Sequence, residues 1–153
     1  DATPKTLHKG QVVQRPGETR TKVYKVEQGL LRSYALDEKG KEHTFLFAPE
    51  GWVIGDAVAE GEPAMLYIEA LEDSRVQSLP KDVNREGRHV EPLLRRMAVL
   101  QKRILMLMAS DALTRYQHFL ETYPDIVQRV PQRMVASYLG ITPEALSKLK
   151  RMR

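Results

Sequence analysis

A chain of 153 residues, 42% apolar and 29% charged, can bury one substantial core or two small ones and has an ordinary globular composition. It contains no cysteine, which excludes disulfides, thiol catalysis, thiolate-held zinc and iron–sulfur clusters together. No stretch approaches the ~18–20 consecutive apolar residues of a membrane span, so no membrane partner is expected.

The net charge of +4 is unevenly placed. Residues 1–87 hold 12 Lys/Arg against 15 Asp/Glu, whereas residues 88–153 hold 12 against 5. A basic module carried on a mildly acidic one is the footprint of a chain whose second half meets nucleic acid, although a solvated basic surface would give the same count. The four histidines, His8, His43, His89 and His118, are scattered without an i, i+4 pair, so no metal site is expected.

Segments 11–14, 22–26, 30–36, 43–47, 66–71 and 75–79 mix β-branched and aromatic residues with polar ones. Turn signals separate them, among them Arg15-Pro16-Gly17-Glu18, Glu27-Gln28-Gly29 and Asp37-Glu38-Lys39-Gly40. Short strands at this spacing predict an antiparallel sandwich or barrel. After Pro80 the period changes. Over 89–110 there is no glycine, and Pro92 stands near the start, where it suits a first helical turn. Leu93, Met97, Leu100, Ile104 and Leu107 form one apolar stripe, widened by Leu94, Leu105, Met106 and Met108. So much apolar surface on one helix suits a seam between two copies, packing against this chain's own β domain, or both. Ser110-Asp111 then reads as the cap of a helix over 112–122, ended by Tyr123-Pro124, with a short piece at 125–130.

The most specific signal lies at 131–151. Pro131 can open a helix in which Met134, Val135, Tyr138 and Leu139 supply core contacts and small Ala136 admits a second helix closely. Gly140 can take the left-handed conformation that ends it, and Ile141 plugs the gap. Thr142-Pro143-Glu144 then reads as a cap, a first-turn proline and an acid at the positive helix end. Leu146 and Leu149 face inward, and Thr142, Glu144, Ala145, Ser147, Lys148 and Arg151 face outward. This is a helix-turn-helix with a basic second helix, or else an αα-hairpin used for packing. In a major groove Lys148 can donate to guanine, Glu144 can accept from cytosine N4, and Ser147 can do either. Arg133, Lys150, Arg151 and Arg153 suit phosphates. No nucleophile–base pair or phosphate-binding glycine loop appears, so an enzyme is not expected.

Over nearly its whole length the chain resembles the cyclic AMP receptor/FNR (Crp/Fnr) superfamily of bacterial transcription regulators. The resemblance is carried by Arg15-Pro16-Gly17-Glu18, Tyr24-Lys25-Val26, Gly29-Leu30-Leu31-Arg32, Asp37…Gly40-Lys41-Glu42, Gly51-Trp52-Val53-Ile54-Gly55-Asp56 and Ala70-Leu71-Glu72-Asp73, in that order. It implies an α+β chain: a cyclic-nucleotide-binding-like β jelly roll over 1–87, a long dimerisation helix over 88–110, and a helix-turn-helix DNA-binding domain over 111–153. It also implies a cytoplasmic homodimer bound to double-stranded DNA, with RNA polymerase and a small-molecule effector as further partners. A β-hairpin wing is implied after Arg151, where the sequence runs only to Arg153, and the leading helix before Lys9 is short or absent.

Two departures from the family pattern matter. Pro143 and Lys148 stand where arginine is frequent, which points to a different operator. Cyclic-nucleotide binders of the family carry Gly-Glu in the pocket turn, followed by an arginine for the cyclic phosphate. Here the turn is Gly55-Asp56-Ala57, and between Ala57 and Ala70 there is no Arg or Lys, but there are Glu60, Glu62 and Glu69. A buried phosphate without a cationic partner is penalised by several kcal/mol, so cyclic AMP is not expected to bind in the usual way. Haem is chemically admissible, but no histidine stands out as its ligand. The rival expectation is a ligand-binding or protein-interaction module in which DNA binding is weak or lost.

Overall fold

Alternation along short strands gives the N-terminal part its core. Leu7, Tyr24, Val26, Ile54 and Val76 come from one set of strands and Leu31, Ala48, Ile68 and Ala70 from another, all buried in one apolar cluster. The computed structural model describes residues 3–59, 61–81, 91–109 and 111–152. Glu60, His89, Ser110 and Arg153, singled out above, and residues 88–90 of the expected dimerisation helix lie outside them. The chain divides between Pro92 and Leu93 into two compact units.

Among the described residues the first unit has eight strands: β1 (Thr3–Leu7), β2 (Val12–Gln14), β3 (Val23–Gln28), β4 (Leu31–Leu36), β5 (Glu42–Ala48), β6 (Val53–Ile54), β7 (Tyr67–Ala70) and β8 (Ser74–Leu79). They form two four-stranded sheets, ordered β1-β8-β3-β6 and β2-β7-β4-β5, with every pairing antiparallel. This is the order of a jelly roll, and the apolar cluster lies between the two sheets. Six strands fall where the sequence places them. β1 and β6 do not, for different reasons. β1 is a solvent-exposed edge that contains Pro4, and β6 is only two residues long. Imperfect alternation in β4 also has a cause: a register shift between Ser33 and Tyr34 lets four consecutive residues, Leu31–Tyr34, be buried.

Gly29 shows how tightly the turns are drawn. Its φ is 102°, and a Cβ there would collide with the Ser74 side chain. That side chain is already engaged, accepting from Leu30 N at 3.1 Å and donating to Glu72 O at 2.8 Å.

The second unit is helical. Helix α1 runs from Glu91 to Ala109, α2 from Ala112 to Thr122, α3 from Gln132 to Leu139 and α4 from Pro143 to Arg151, with a single 3₁₀ turn at Ile126–Gln128. Asp111 caps α2 by accepting from Thr114 N at 2.8 Å, a bond that holds its carboxyl below the usual range. Phe119, Tyr123 and Tyr138 meet pairwise in tilted or edge contacts, with centroids 5.4–5.8 Å apart, and join α2 to α3. Pro131 sits one position before the expected one, as the residue preceding α3.

Candidate nucleic-acid face and effector turn

The turn between α3 and α4 is set by local chemistry. Gly140 adopts φ 70° and ψ 30°, a left-handed conformation that costs a side-chain-bearing residue about 1–2 kcal/mol. Its N–H donates to Ser137 O at 3.2 Å, and Ile141 N donates to Ala136 O at 3.1 Å. Two residues on, the Thr142 hydroxyl accepts from Ala145 N at 3.1 Å and Pro143 opens α4. Leu146 is buried and orients the helix. Thr142, Glu144, Ser147, Lys148 and Arg151 are therefore left exposed, and Lys150 is half-buried. Glu144, Ser147, Lys148 and Arg151 follow i, i+3, i+4, i+7 spacing and share one face. Arg133, in the first turn of α3, is exposed as well. Lys148, Lys150 and Arg151 cluster toward the negative end of the α4 dipole and Glu144 stands at the positive end, which favours both.

Helix α1 turns an apolar side to solvent. Leu93, Met97, Ile104 and Leu107 are exposed, Met97 by 64% and Ile104 by 57%, while Leu100 is half-buried. Leu94, Leu105 and Met108 extend the exposed strip. Among the described residues of the helix, Arg96 and Met106 are buried, with Arg103 half-buried between them. Met106 thus belongs to the opposite side from the stripe it was expected to widen. Two arginines turned inward and a run of leucines and methionines turned outward depart from an ordinary amphipathic helix.

In the first unit Asp56 is buried, and its carboxylate closes its own loop. Oδ2 accepts from Met65 N at 2.7 Å and Leu66 N at 2.9 Å, and Oδ1 accepts from Val58 N at 3.3 Å. Gln14, also buried, donates to Leu66 O at 2.8 Å and lies 3.5 Å from Asp56 Oδ2. Beside them the Lys81 ammonium donates to Asp56 O at 2.7 Å and Val58 O at 2.8 Å. Gly55 sits against Val23, where a Cβ would lie 3.2 Å from Cγ2 and 3.3 Å from Lys22 O. Ala57 is exposed. Glu69 has a different neighbourhood: it accepts from Arg32 Nε at 2.6 Å, directly across β4 and β7. Arg32 is buried, also donates to Glu42 at 2.5 Å and Thr44 at 3.2 Å, and lies 4.1 Å from the Tyr34 ring centroid. Gly55, Asp56 and Ala57 thus form one turn, and Glu69 joins an ion-pair cluster with Arg32 and Glu42. Removing the Asp56 carboxylate should strand the Met65 and Leu66 amides. We expect Asp56→Ala to lose about 2–4 kcal/mol in chemical denaturation, and a loss under 1 kcal/mol would refute this role.

The sequence profile of the cyclic nucleotide-binding domain matches residues 4–86, more than half of the chain. The chain belongs to this family, within the Crp/Fnr superfamily. The anaerobic regulatory protein of Haemophilus influenzae is 24% identical over 95% of this chain and 64% of its own length. The fumarate and nitrate reduction regulatory protein of Vibrio cholerae is 26% identical over 95% of this chain and 66% of its own. This Crp/Fnr chain therefore spans just under two thirds of those relatives. Among solved structures, FixK2 from Bradyrhizobium japonicum superposes with a TM-score of 0.78 at 24% identity, covering 99% of this chain and 84% of that one. A CRP/FNR-family transcriptional regulator from Thermus thermophilus gives 0.76 at 22% identity, covering 96% and 83%. These likenesses concern the fold.

Sequence reasoning about the cyclic nucleotide-binding domain missed Gln14, Arg32 and Lys81. The cation-free stretch read from the sequence ends at Ala70, whereas Lys81 reaches the turn from 23–25 residues away. Among the described residues no group of three or more His, Asp or Glu could hold a metal ion, and no helix is long and apolar enough to cross a membrane.

Proposed function

We propose that this chain is the sensor, dimerisation and DNA-reading portion of a Crp/Fnr-type transcription regulator, with domains at 1–87, 88–110 and 111–153. The observation that carries the reading is the exposed Glu144–Ser147–Lys148–Arg151 face of α4, held in place by the Gly140 turn, the Thr142 cap and buried Leu146. In this reading α3 and α4 form a helix-turn-helix. Thr142, Glu144, Ser147 and Lys148 read base edges and adjacent phosphates, while Arg133, Lys150 and Arg151 neutralise the backbone and set register. Leu93, Met97, Leu100, Ile104 and Leu107 form the seam of a homodimer, so that two copies of α4 enter successive major grooves about 34–36 Å apart. RNA polymerase and a small-molecule effector are the further partners, and the location is the bacterial cytoplasm. Selection of bound duplexes from a random pool tests the reading: wild type should enrich a pseudo-palindrome, and enrichment of no sequence would refute it.

The Gly55-Asp56-Ala57 turn supports an effector other than cyclic AMP. Its carboxylate is occupied by the loop's own amides, and the Lys81 ammonium is bound to the loop's own carbonyls. A cyclic phosphate would have to displace these partners, and the stretch from Ala57 to Ala70 supplies no arginine to hold it. Calorimetry with cyclic AMP should give no saturable heat at micromolar concentration. Micromolar binding that Asp56→Asn abolishes would overturn this.

A further inference from the structure

Arg103 of α1 and Arg115 of α2 meet a need that α3 cannot satisfy alone. An α-helix leaves its last four carbonyls without intrahelical partners. In α3 these belong to Ala136, Ser137, Tyr138 and Leu139. The chain's own turn satisfies the first two, through Ile141 N and Gly140 N. The chain then leaves for α4, and the other two carbonyls are met by guanidinium groups from other helices. Arg103 of α1 donates from Nη2 to Tyr138 O at 3.0 Å, and its guanidinium carbon lies 4.0 Å from the centroid of the same residue's ring. Arg115 of α2 donates to Leu139 O at 3.3 Å and to Leu107 O, in the last turn of α1, at 3.2 Å.

Two cations thus sit at the negative end of α3, and both connect that end to α1. Burial lowers the Arg103 pKa and raises that of Tyr138, as expected of groups withdrawn from water together. A guanidinium that stacks on a ring and bonds the carbonyl of the same residue fixes direction as well as distance. Buried leucines would have given adhesion without that directionality.

We propose that Arg103 and Arg115 are positioning residues that lock the α3–α4 pair to the axis of α1. They would thereby set the direction in which α4 points when two copies meet. The purpose of the lock rests on the DNA-binding reading above; its existence does not. Because the chain has no cysteine, labels can be placed cleanly at Lys102→Cys on α1 and Met152→Cys after α4, both exposed sites.

With labelled chain diluted into unlabelled chain, pulsed electron resonance should give one narrow intrachain distance. Arg103→Met should broaden it, Arg103→Met with Arg115→Met more so, and Arg103→Lys should restore it only in part, while circular dichroism keeps its helical signal. On DNA, Arg103→Met should bind the selected palindrome at least tenfold more weakly and tolerate altered half-site spacing. Its affinity for a single half-site should stay within threefold and its salt slope should not change. An unchanged distance distribution overturns the lock. Equal losses on half-site and palindrome reduce the arginines to fold stabilisers and overturn the positioning role. Wild-type protein that binds no duplex overturns the DNA reading and leaves the label experiment to decide the lock.

Discussion

Lys148→Glu should abolish sequence-specific DNA binding, lowering affinity for the selected palindrome by at least a hundredfold in a mobility shift. The magnitude follows from the position of the side chain. Lys148 is exposed in the second turn of α4, between Ser147 and the chain's terminal basic cluster, and shares a face with Glu144 and Arg151. A lost base contact costs about 1–3 kcal/mol per half-site, and a dimer carries two such contacts. Reversal to glutamate adds repulsion from the phosphates, so the effect exceeds that of deletion. The control is Lys148→Ala, which should lose less and relax preference at one base position of each half-site. Lys150→Ala should weaken all sequences alike and reduce the salt slope by about one per half-site, as a phosphate contact does. Since Lys148 is exposed, folding should be untouched, with stability within about 0.5 kcal/mol of wild type. Specific binding by Lys148→Glu at wild-type affinity would remove α4 from the interface.

The C-terminal signals were legible because they are local. Gly140 at φ 70°, the Thr142 cap and Pro143 at the helix start each act within a few residues, so sequence order alone places them. Six of the eight strands were legible by turn chemistry and β-branched content. The edge strand β1 was not, because what makes Thr3–Leu7 a strand is pairing with Ser74–Ser78, some seventy residues on. The ion-pair cluster around Arg32 hid for the same reason, since Glu69 lies 37 residues away. Helix α1 was half legible. Its stripe was read from spacing, but an arginine in a helix normally signals solvent, and nothing at Arg96 or Arg103 announces the tyrosines they pack with. A carboxylate in the Gly55-Asp56 turn was foreseen, but its satisfaction by backbone amides was not, because those donors belong to a loop that folds back nine and ten residues later.

If α1 carries the proposed seam, Ile104→Glu should convert the homodimer to a monomer while leaving the single chain folded. The apolar strip of α1 is exposed in one chain, so a glutamate at position 104 meets water there, and thermal melting of the monomer should hardly move. In a two-fold seam the same substitution places two carboxylates near one another in a desolvated contact. Each unpaired charge costs several kcal/mol of burial, and their mutual repulsion adds to it. Sedimentation should show the dissociation constant rising by at least a hundredfold. DNA binding should fall with it, although every base-reading residue is intact, because the second half-site loses the effective concentration that the first one supplies. A duplex with one half-site should bind the variant as it binds wild-type monomer. That separates this defect from Lys148→Glu, which fails on both duplexes, and from Arg103→Met, which keeps the dimer and its half-site affinity but loses palindrome affinity and spacing selectivity. If Ile104→Glu remains dimeric at wild-type concentrations, the exposed side of α1 is not the seam, and the dimer forms through another surface.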